Sequence, residues 1–375
     1  MPTPRTVINV GVPPAGPYSH AVAAQGLVYL SGAAAEDGDG GINGKGNTGA
    51  QVRQVLEQLA GRLDRAGSSL AQVVSVTVYL RSAADFPVMN EAYRGYWPRE
   101  PPTRTTVIAD LVHPDALVEI SMVAALNGVE RAVVHPPGWP PAASPYSYAI
   151  RTGDTLFLSG IVSRNGRDNV VVEGHVAVQT RVVLDNAGEL LQAAGMTHEN
   201  VVSARVFLPQ AGTFDRMNTE YRRYFPSNPP VRATVRAGLA APPFVVEMTF
   251  IASSAPRVVV EPDSARNPNL STAIAAGRRV YLSGILGNRP DNQGDVAAQT
   301  TETLARIGRG LAAAGCTPAD VVDSLVYLPS LADYAAMNDA YRAFFGDRFP
   351  ARVTVQSGLF APDGLVEIMV TAAAP

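Results

Sequence analysis

Val28-Tyr29-Leu30-Ser31-Gly32 returns as Leu156-Phe157-Leu158-Ser159-Gly160 and again as Val280-Tyr281-Leu282-Ser283-Gly284. Working outward, Met89-Asn90 recurs as Met217-Asn218 and Met337-Asn338. An arginine follows proline each time, in Pro101-Pro102-Thr103-Arg104, Pro229-Pro230-Val231-Arg232 and Phe349-Pro350-Ala351-Arg352. Fifteen residues after each arginine stands a glutamate, Glu119, Glu247 or Glu367. The arginines are 128 and 120 residues apart, and so are the glutamates. A period of that size means three copies of one structural unit. The chain therefore supplies its own alignment.

The 375 residues give about one ordinary domain length per copy. Proline-rich punctuation, VPPAGP, PPGWPPAASP and PDSARNP, suggests units at 1–128, 129–254 and 255–375. A content of 46% hydrophobic and 17% charged residues is that of a well-buried globular protein. The net charge is −3 and the pI near 6.0, without a basic stripe, so no nucleic-acid partner is expected. A single cysteine, Cys316, excludes an internal disulfide and fits a reducing compartment. No apolar run reaches membrane-spanning length and the N-terminal stretch lacks a signal core, so a cytoplasmic location without membrane contact is expected.

Within each unit the pattern reads β-β-β-α-β-α-β-β, an α+β fold. Val52, Val55, Leu56, Leu59 and Leu63 mark one apolar face of a helix over 50–65, matched at 178–191 and 298–311. Gly67, Gly195 and Gly315 stand where these helices should end. A second helix at 86–97, 214–225 and 334–345 carries the Met-Asn pair. Two helices can cover only one face of such a sheet, while strands such as VTVYL and VEISMV put apolar residues on both. Three sheets packed around a pseudo-threefold axis, helices outside, would bury the second faces and leave the chain a monomer.

Each arginine begins a strand and offers a planar fork suited to a carboxylate. The alternative is an arginine that pairs with a glutamate to close a unit boundary. The glutamates lie in apolar strands, where a carboxylate is costly without a partner. They either pair with an arginine or orient water. Asn90, Asn218 and Asn338 could bind a ligand or tie a helix to a loop. Tyr93, Tyr221 and Tyr341 read as core. Tyr18 and Tyr146 each lie thirteen residues before the serine of their unit, and Leu270 holds that place in the third. The five histidines do not recur at matching positions, and no metal or cofactor motif stands out.

Gly-Pro-Tyr-Ser, apolar-Ser-Gly, Met-Asn-x-x-Tyr, Pro-x-Arg and Val-Glu-[Ile/Met], with a recurrent glutamine at Gln51, Gln179 and Gln299, resemble the Rid family (YjgF/YER057c/UK114). Its prototype is a reactive-intermediate (enamine/imine) deaminase, and the resemblance covers essentially the whole chain, once per unit. It implies a chorismate-mutase-like trimeric fold with ligand clefts between units. It implies that Arg104, Arg232 and Arg352 grip a substrate carboxylate and that Glu119, Glu247 and Glu367 place a hydrolytic water. Tyr18, Tyr146, Ser31-Gly32, Ser159-Gly160 and Ser283-Gly284 would line the clefts, with Asn90, Asn218 and Asn338. The chain departs from the prototype in having Thr106, Thr234 and Thr354 where a cysteine is expected. Three functions are compatible with these residues. One is hydrolysis of 2-imino or enamine acids to 2-oxo acids and ammonia. Another is non-catalytic binding of small carboxylates, or a scaffold. The third is a specialised cyclase or hydrolase on the same fold. An endoribonuclease role, proposed for some family members, is not favoured by the acidic pI.

Overall fold

The computed structural model describes residues 5–262 and 266–375; the first four residues, and residues 263–265 of the third proline-containing stretch, lie outside the described residues. The first unit contains β1 (Thr6–Ile8), β2 (Ala21–Ala24), β3 (Leu27–Ala33), α1 (Thr48–Arg65), β4 (Val73–Leu80), α2 (Phe86–Arg94), β5 (Thr103–Ile108), β6 (Asp110–Leu111) and β7 (Val118–Ala125). The second repeats this with β8 (Ala132–Val134), β9 (Ala149–Thr152), β10 (Thr155–Leu158), α3 (Val176–Ala193), β11 (Val201–Leu208), α4 (Phe214–Tyr224), β12 (Val231–Arg236), β13 (Gly238–Leu239) and β14 (Glu247–Ser253). The third has β15 (Arg257–Val260), β16 (Ala273–Ala276), β17 (Arg279–Leu286), α5 (Val296–Ala313), β18 (Val321–Leu328), α6 (Tyr334–Phe345), β19 (Ala351–Gln356), β20 (Gly358–Leu359) and β21 (Glu367–Ala373). The fold is α+β, as the periodicity predicts. None of the described helices is long and apolar enough to cross a membrane.

The helices form where the sequence places their apolar stripe. Val52, Val55, Leu56, Leu59 and Leu63 of α1 are completely buried, each stabilising by about 1.5–3 kcal/mol. Asn47 caps the start, its side chain accepting from the Ala50 amide, and Asp295 does the same for α5. Gly67, Gly195 and Gly315 end the long helices with φ of 75°, 71° and 74°. The next amide reaches back to the last turn, as from Ser68 to Leu63 and from Cys316 to Leu311, the pattern that needs glycine in the left-handed region. The recurrent glutamine is wholly buried. Gln51 Oε1 accepts from the Leu117 amide and its Nε2 donates to the Asp115 carbonyl, fastening α1 to the loop that leads into the glutamate strand. Gln179 and Gln299 make the same two bonds.

Each sheet has seven strands, and one of them is borrowed. The first runs β1-β2-β3-β7-β4-β5-β13, so its last strand belongs to the second unit. The second unit's sheet ends on β20 and the third's on β6. The exchange is cyclic: Leu239 pairs with Val107, Leu359 with Val235 and Leu111 with Val355. These two-residue strands are the elements that sequence patterning omits. Two residues carry no periodicity, and their partner lies in another unit. The second helix is also shorter than expected in the first unit, ending at Arg94 rather than at Trp97.

The inner sheet faces meet around the axis, as expected, but their contact is partly polar. Thr77, Arg205 and Asp323, one from each unit, line a central cavity of about 70 Å³. Arg205 donates to the Thr77 hydroxyl at 3.2 Å, and Thr105 and Thr249 share a 2.6 Å hydroxyl contact.

Because every unit both lends and receives a strand, the ring is closed within one chain. Light scattering should therefore return one chain mass, 39.5 kDa. A stable species of three chains would overturn this reading.

Candidate active-site clefts

One joint recurs three times and positions everything near it. Ser31 Oγ donates to the Ser19 carbonyl at 2.6 Å and accepts from the Arg352 amide at 2.8 Å. Ser159 does the same for Ser147 and Arg104, and Ser283 for Ser271 and Arg232. Each arginine strand is thus docked on the β-hairpin of the next unit. The three hydroxyls are engaged on both sides by backbone, so they position the arginine and are not open to a ligand. The clefts between units follow from this pairing. Arg104 faces Tyr146, Gly160 and Glu247; Arg232 faces Gly284 and Glu367; Arg352 faces Tyr18, Gly32 and Glu119.

Each guanidinium lies on a tyrosine that sequence patterning assigns to the core. Arg104 sits 5.0 Å from the Tyr93 ring centroid, Arg232 4.7 Å from Tyr221 and Arg352 4.9 Å from Tyr341. The cross-unit tyrosines complete the cradle, with Arg352 5.5 Å from the Tyr18 ring and Arg104 6.0 Å from that of Tyr146. Asn218 and Asn338 accept from Arg232 and Arg352 at 2.7 and 2.8 Å, so they orient the arginine rather than tie a helix to a loop. In the first unit the Asn90 carbonyl oxygen is buried without such a partner, and Arg104 turns toward Met89 instead.

The glutamates lie beneath the glycines. A Cβ added to Gly32, Gly160 or Gly284 would overlap the carboxyl of Glu119, Glu247 or Glu367, so only glycine leaves room for it. Burial pushes all three carboxyls up from the ordinary carboxylate range to about 8. The nearby Glu36 raises Glu119 further, while the arginine of each cleft pulls its glutamate down. These arginines and glutamates do not form close ion pairs; the ones found among the described residues lie elsewhere, as at Arg279–Asp154 and Arg306–Glu302. Each cleft therefore sets a cation beside a carboxyl group whose pKa is pushed to the neutral range or above. Thr106, Thr234 and Thr354 are buried, and their hydroxyls have no hydrogen-bond partner. A buried hydroxyl without a partner costs about 1–3 kcal/mol, and a bound polar group would relieve that cost.

The clefts are unequal. The third, between Arg352 and Glu119, encloses about 270 Å³, and the first, between Arg104 and Glu247, about 120 Å³. One cause is Phe244 in the wall of the first cleft where the third has Ala116. In the second cleft Phe360 stacks on Phe214 with ring centroids 4.5 Å apart. Val112 and Ala240 hold the place of Phe360 in the other two. Nε and Nη1 of Arg232 are covered yet have no partner, so this cleft is closed over an incompletely satisfied guanidinium. Tyr334 was missed by sequence reasoning. Its hydroxyl accepts from Arg352 at 3.2 Å, where Phe86 and Phe214 offer none. Comparison of the repeats at that position holds the signal.

The chain has relatives of known sequence and structure. The family model described as Endoribonuclease L-PSP matches residues 10–126, 138–254 and 262–374, once per unit. A RutC family protein of Sulfurisphaera tokodaii is 40% identical over 114 residues, 30% of this chain and 91% of that protein. The 3-aminoacrylate deaminase RutC of Acinetobacter baylyi is 42% identical over 112 residues, 30% of this chain and 89% of that protein. A solved chorismatase shares the fold over 80% of this chain and 93% of that one, with a TM-score of 0.56 and 17% identity. Three successive matches covering most of the sequence settle the family: the chain belongs to the Rid (YjgF/YER057c/UK114) family, the group described as Endoribonuclease L-PSP, as a tandem of three copies.

Proposed function

We propose that the chain hydrolyses small 2-imino or enamine acids to 2-oxo acids and ammonia in its first and third clefts. One observation carries this reading: each open cavity is lined by an arginine fork, a carboxyl group that burial pushes up to a pKa of about 8, and a threonine whose hydroxyl has no partner. Arg104 or Arg352 anchors the substrate carboxylate, a charge-assisted contact contributing about 1.5–3 kcal/mol. The C=N carbon is then held beside Glu247 or Glu119. The glutamic acid gives its proton to the imine nitrogen as water adds to the carbon, and takes one proton from that water to leave a neutral carbinolamine. It then protonates the amine a second time as the C–N bond breaks, and the carbinolamine hydroxyl returns its proton to the carboxylate, leaving the 2-oxo acid and ammonia. Thr106 or Thr354 supplies a hydroxyl to the adding water. Positioning supplies much of the acceleration, since imines hydrolyse unaided. The name of the Acinetobacter relative, a 3-aminoacrylate deaminase, supports the same class of chemistry. Binding of small carboxylates without turnover is the second reading, favoured by threonine at the positions where the prototype has cysteine.

An amino-acid oxidase that generates imino acids, with semicarbazide as the trap, separates the two. Deaminase activity lowers semicarbazone yield in proportion to the protein added; a carrier leaves it unchanged. The double variant Arg104→Ala/Arg352→Ala should lose the effect although Arg232 remains, with a ~10- to 100-fold fall in kcat/KM.

The glutamates give a pH signature. Their pKa is raised in the folded chain, so the unfolded chain loses these protons from about pH 4.5 upward while the folded chain keeps them to about 8. Stability from this source is therefore greatest below about pH 4.5 and falls as pH rises to about 8. Replacing Glu119, Glu247 and Glu367 with glutamine should raise Tm relative to the parent progressively between pH 5 and pH 8.5. A pH-independent Tm difference would mean that the carboxyls are ionised at neutral pH.

A further inference from the structure

The two open clefts share their arginine, glycine and glutamate but differ at one repeated position. Five residues after the serine of the joint stand Glu36, Arg164 and Asn288. Arg164 lines the same cavity as Arg104, and Glu36 the same cavity as Arg352. Resting on the reading that Arg104 grips one carboxylate, we infer that the first cleft selects a dianionic substrate, a 2-imino or 2-oxo dicarboxylate, with Arg164 holding the second anionic group.

The placement of Arg164 supports this. Its Nη1 donates to the Asn169 carbonyl at 2.9 Å, and its guanidinium lies 5.1 Å from the Phe244 ring centroid. These contacts fix the head group at the cavity wall, and a pre-organised fork loses little freedom on binding. Among the described residues Glu247 is the only carboxyl in that wall, and burial pushes its pKa up to about 8. Two cations thus face about 120 Å³ of space without a counter-charge there. Phe86, Val162 and Phe244 line the same cavity and offer apolar surface for a short carbon chain. The third cleft differs in kind. Glu36 stands in its wall, where it would repel a second anion.

The test uses the full chain carrying Arg352→Ala, which leaves the first cleft as the open arginine site. Titration calorimetry or NMR should give 2-oxoglutarate an affinity about tenfold above that of 2-oxobutyrate, with the advantage shrinking as salt is raised. Adding Arg164→Gln should abolish the advantage while 2-oxobutyrate binds as before, which also shows that the cleft is still folded. Arg164→Lys, which keeps the charge, should retain most of it. Equal affinity for the two acids before the change, or an unchanged ratio after Arg164→Gln, overturns the assignment of Arg164. A different result marks failure of the underlying reading: Arg104→Ala would then leave both acids bound as tightly as before.

Discussion

The structure depends on a serine hydroxyl used twice. Ser31, Ser159 and Ser283 each hold the hairpin of their own unit through a carbonyl and the arginine strand of the preceding unit through an amide. A buried backbone amide must find an acceptor. Here the acceptor lies across a unit boundary, so satisfying the backbone and docking the units are one event. The arginine side chain leaves from the same residue whose amide is held. The joint therefore fixes the cation in the wall of a cleft that neither unit forms alone. The adjacent glycine completes the arrangement, since only its missing side chain admits the glutamate.

This coupling explains why the inner part of each cleft is uniform and the outer part is not. The joint, glycine, glutamate and threonine are tied to one another and to the sheet. A change in any of them disturbs the packing between units, or leaves a buried polar group alone. The rim side chains take no part in the joint, so they can differ without disturbing it. There Phe360 stacks on Phe214 in the second cleft, Phe244 narrows the first and Ala116 widens the third. Arg232 shows the consequence. It keeps its seat on Tyr221 and its bond to Asn218 although two of its nitrogens face no partner.

Much of this was legible in the sequence because the chain repeats. The fixed spacing of Arg104, Arg232 and Arg352 with their glutamates marked the candidate site, and the 3.6-residue stripe of α1 marked the helix and its buried face. What stayed hidden depends on neighbours in space. Nothing in the sequence says that Arg104 meets Glu247 rather than Glu119, because the two residues join only when the ring closes. The lent strands β6, β13 and β20 are too short to carry a pattern. The second role of Tyr93, Tyr221 and Tyr341 was masked because a ring beneath a guanidinium occupies the same helical position as an ordinary core residue. The serines presented the reverse case: they resemble ligand-binding groups, yet their hydrogen-bonding capacity is consumed by backbone.

Covalent linkage of the units changes what substitution can do. In a ring of identical chains, one substitution alters every cleft at once, and a change that closes a cleft closes all of them. Here Leu270 replaces the cross-unit tyrosine in one unit while Tyr18 and Tyr146 remain in the others. Phe360 closes one cleft and leaves two open. The covered cleft still contributes its half of the joint and its lent strand, so the packing between units is kept there. The same freedom permits Glu36 and Arg164 to occupy one structural position with opposite charge. In a symmetric assembly those charges would exclude each other, because every copy would carry the same one. Asymmetry of the rims is therefore a physical consequence of fusion, and the joint is what allows it without loss of the fold.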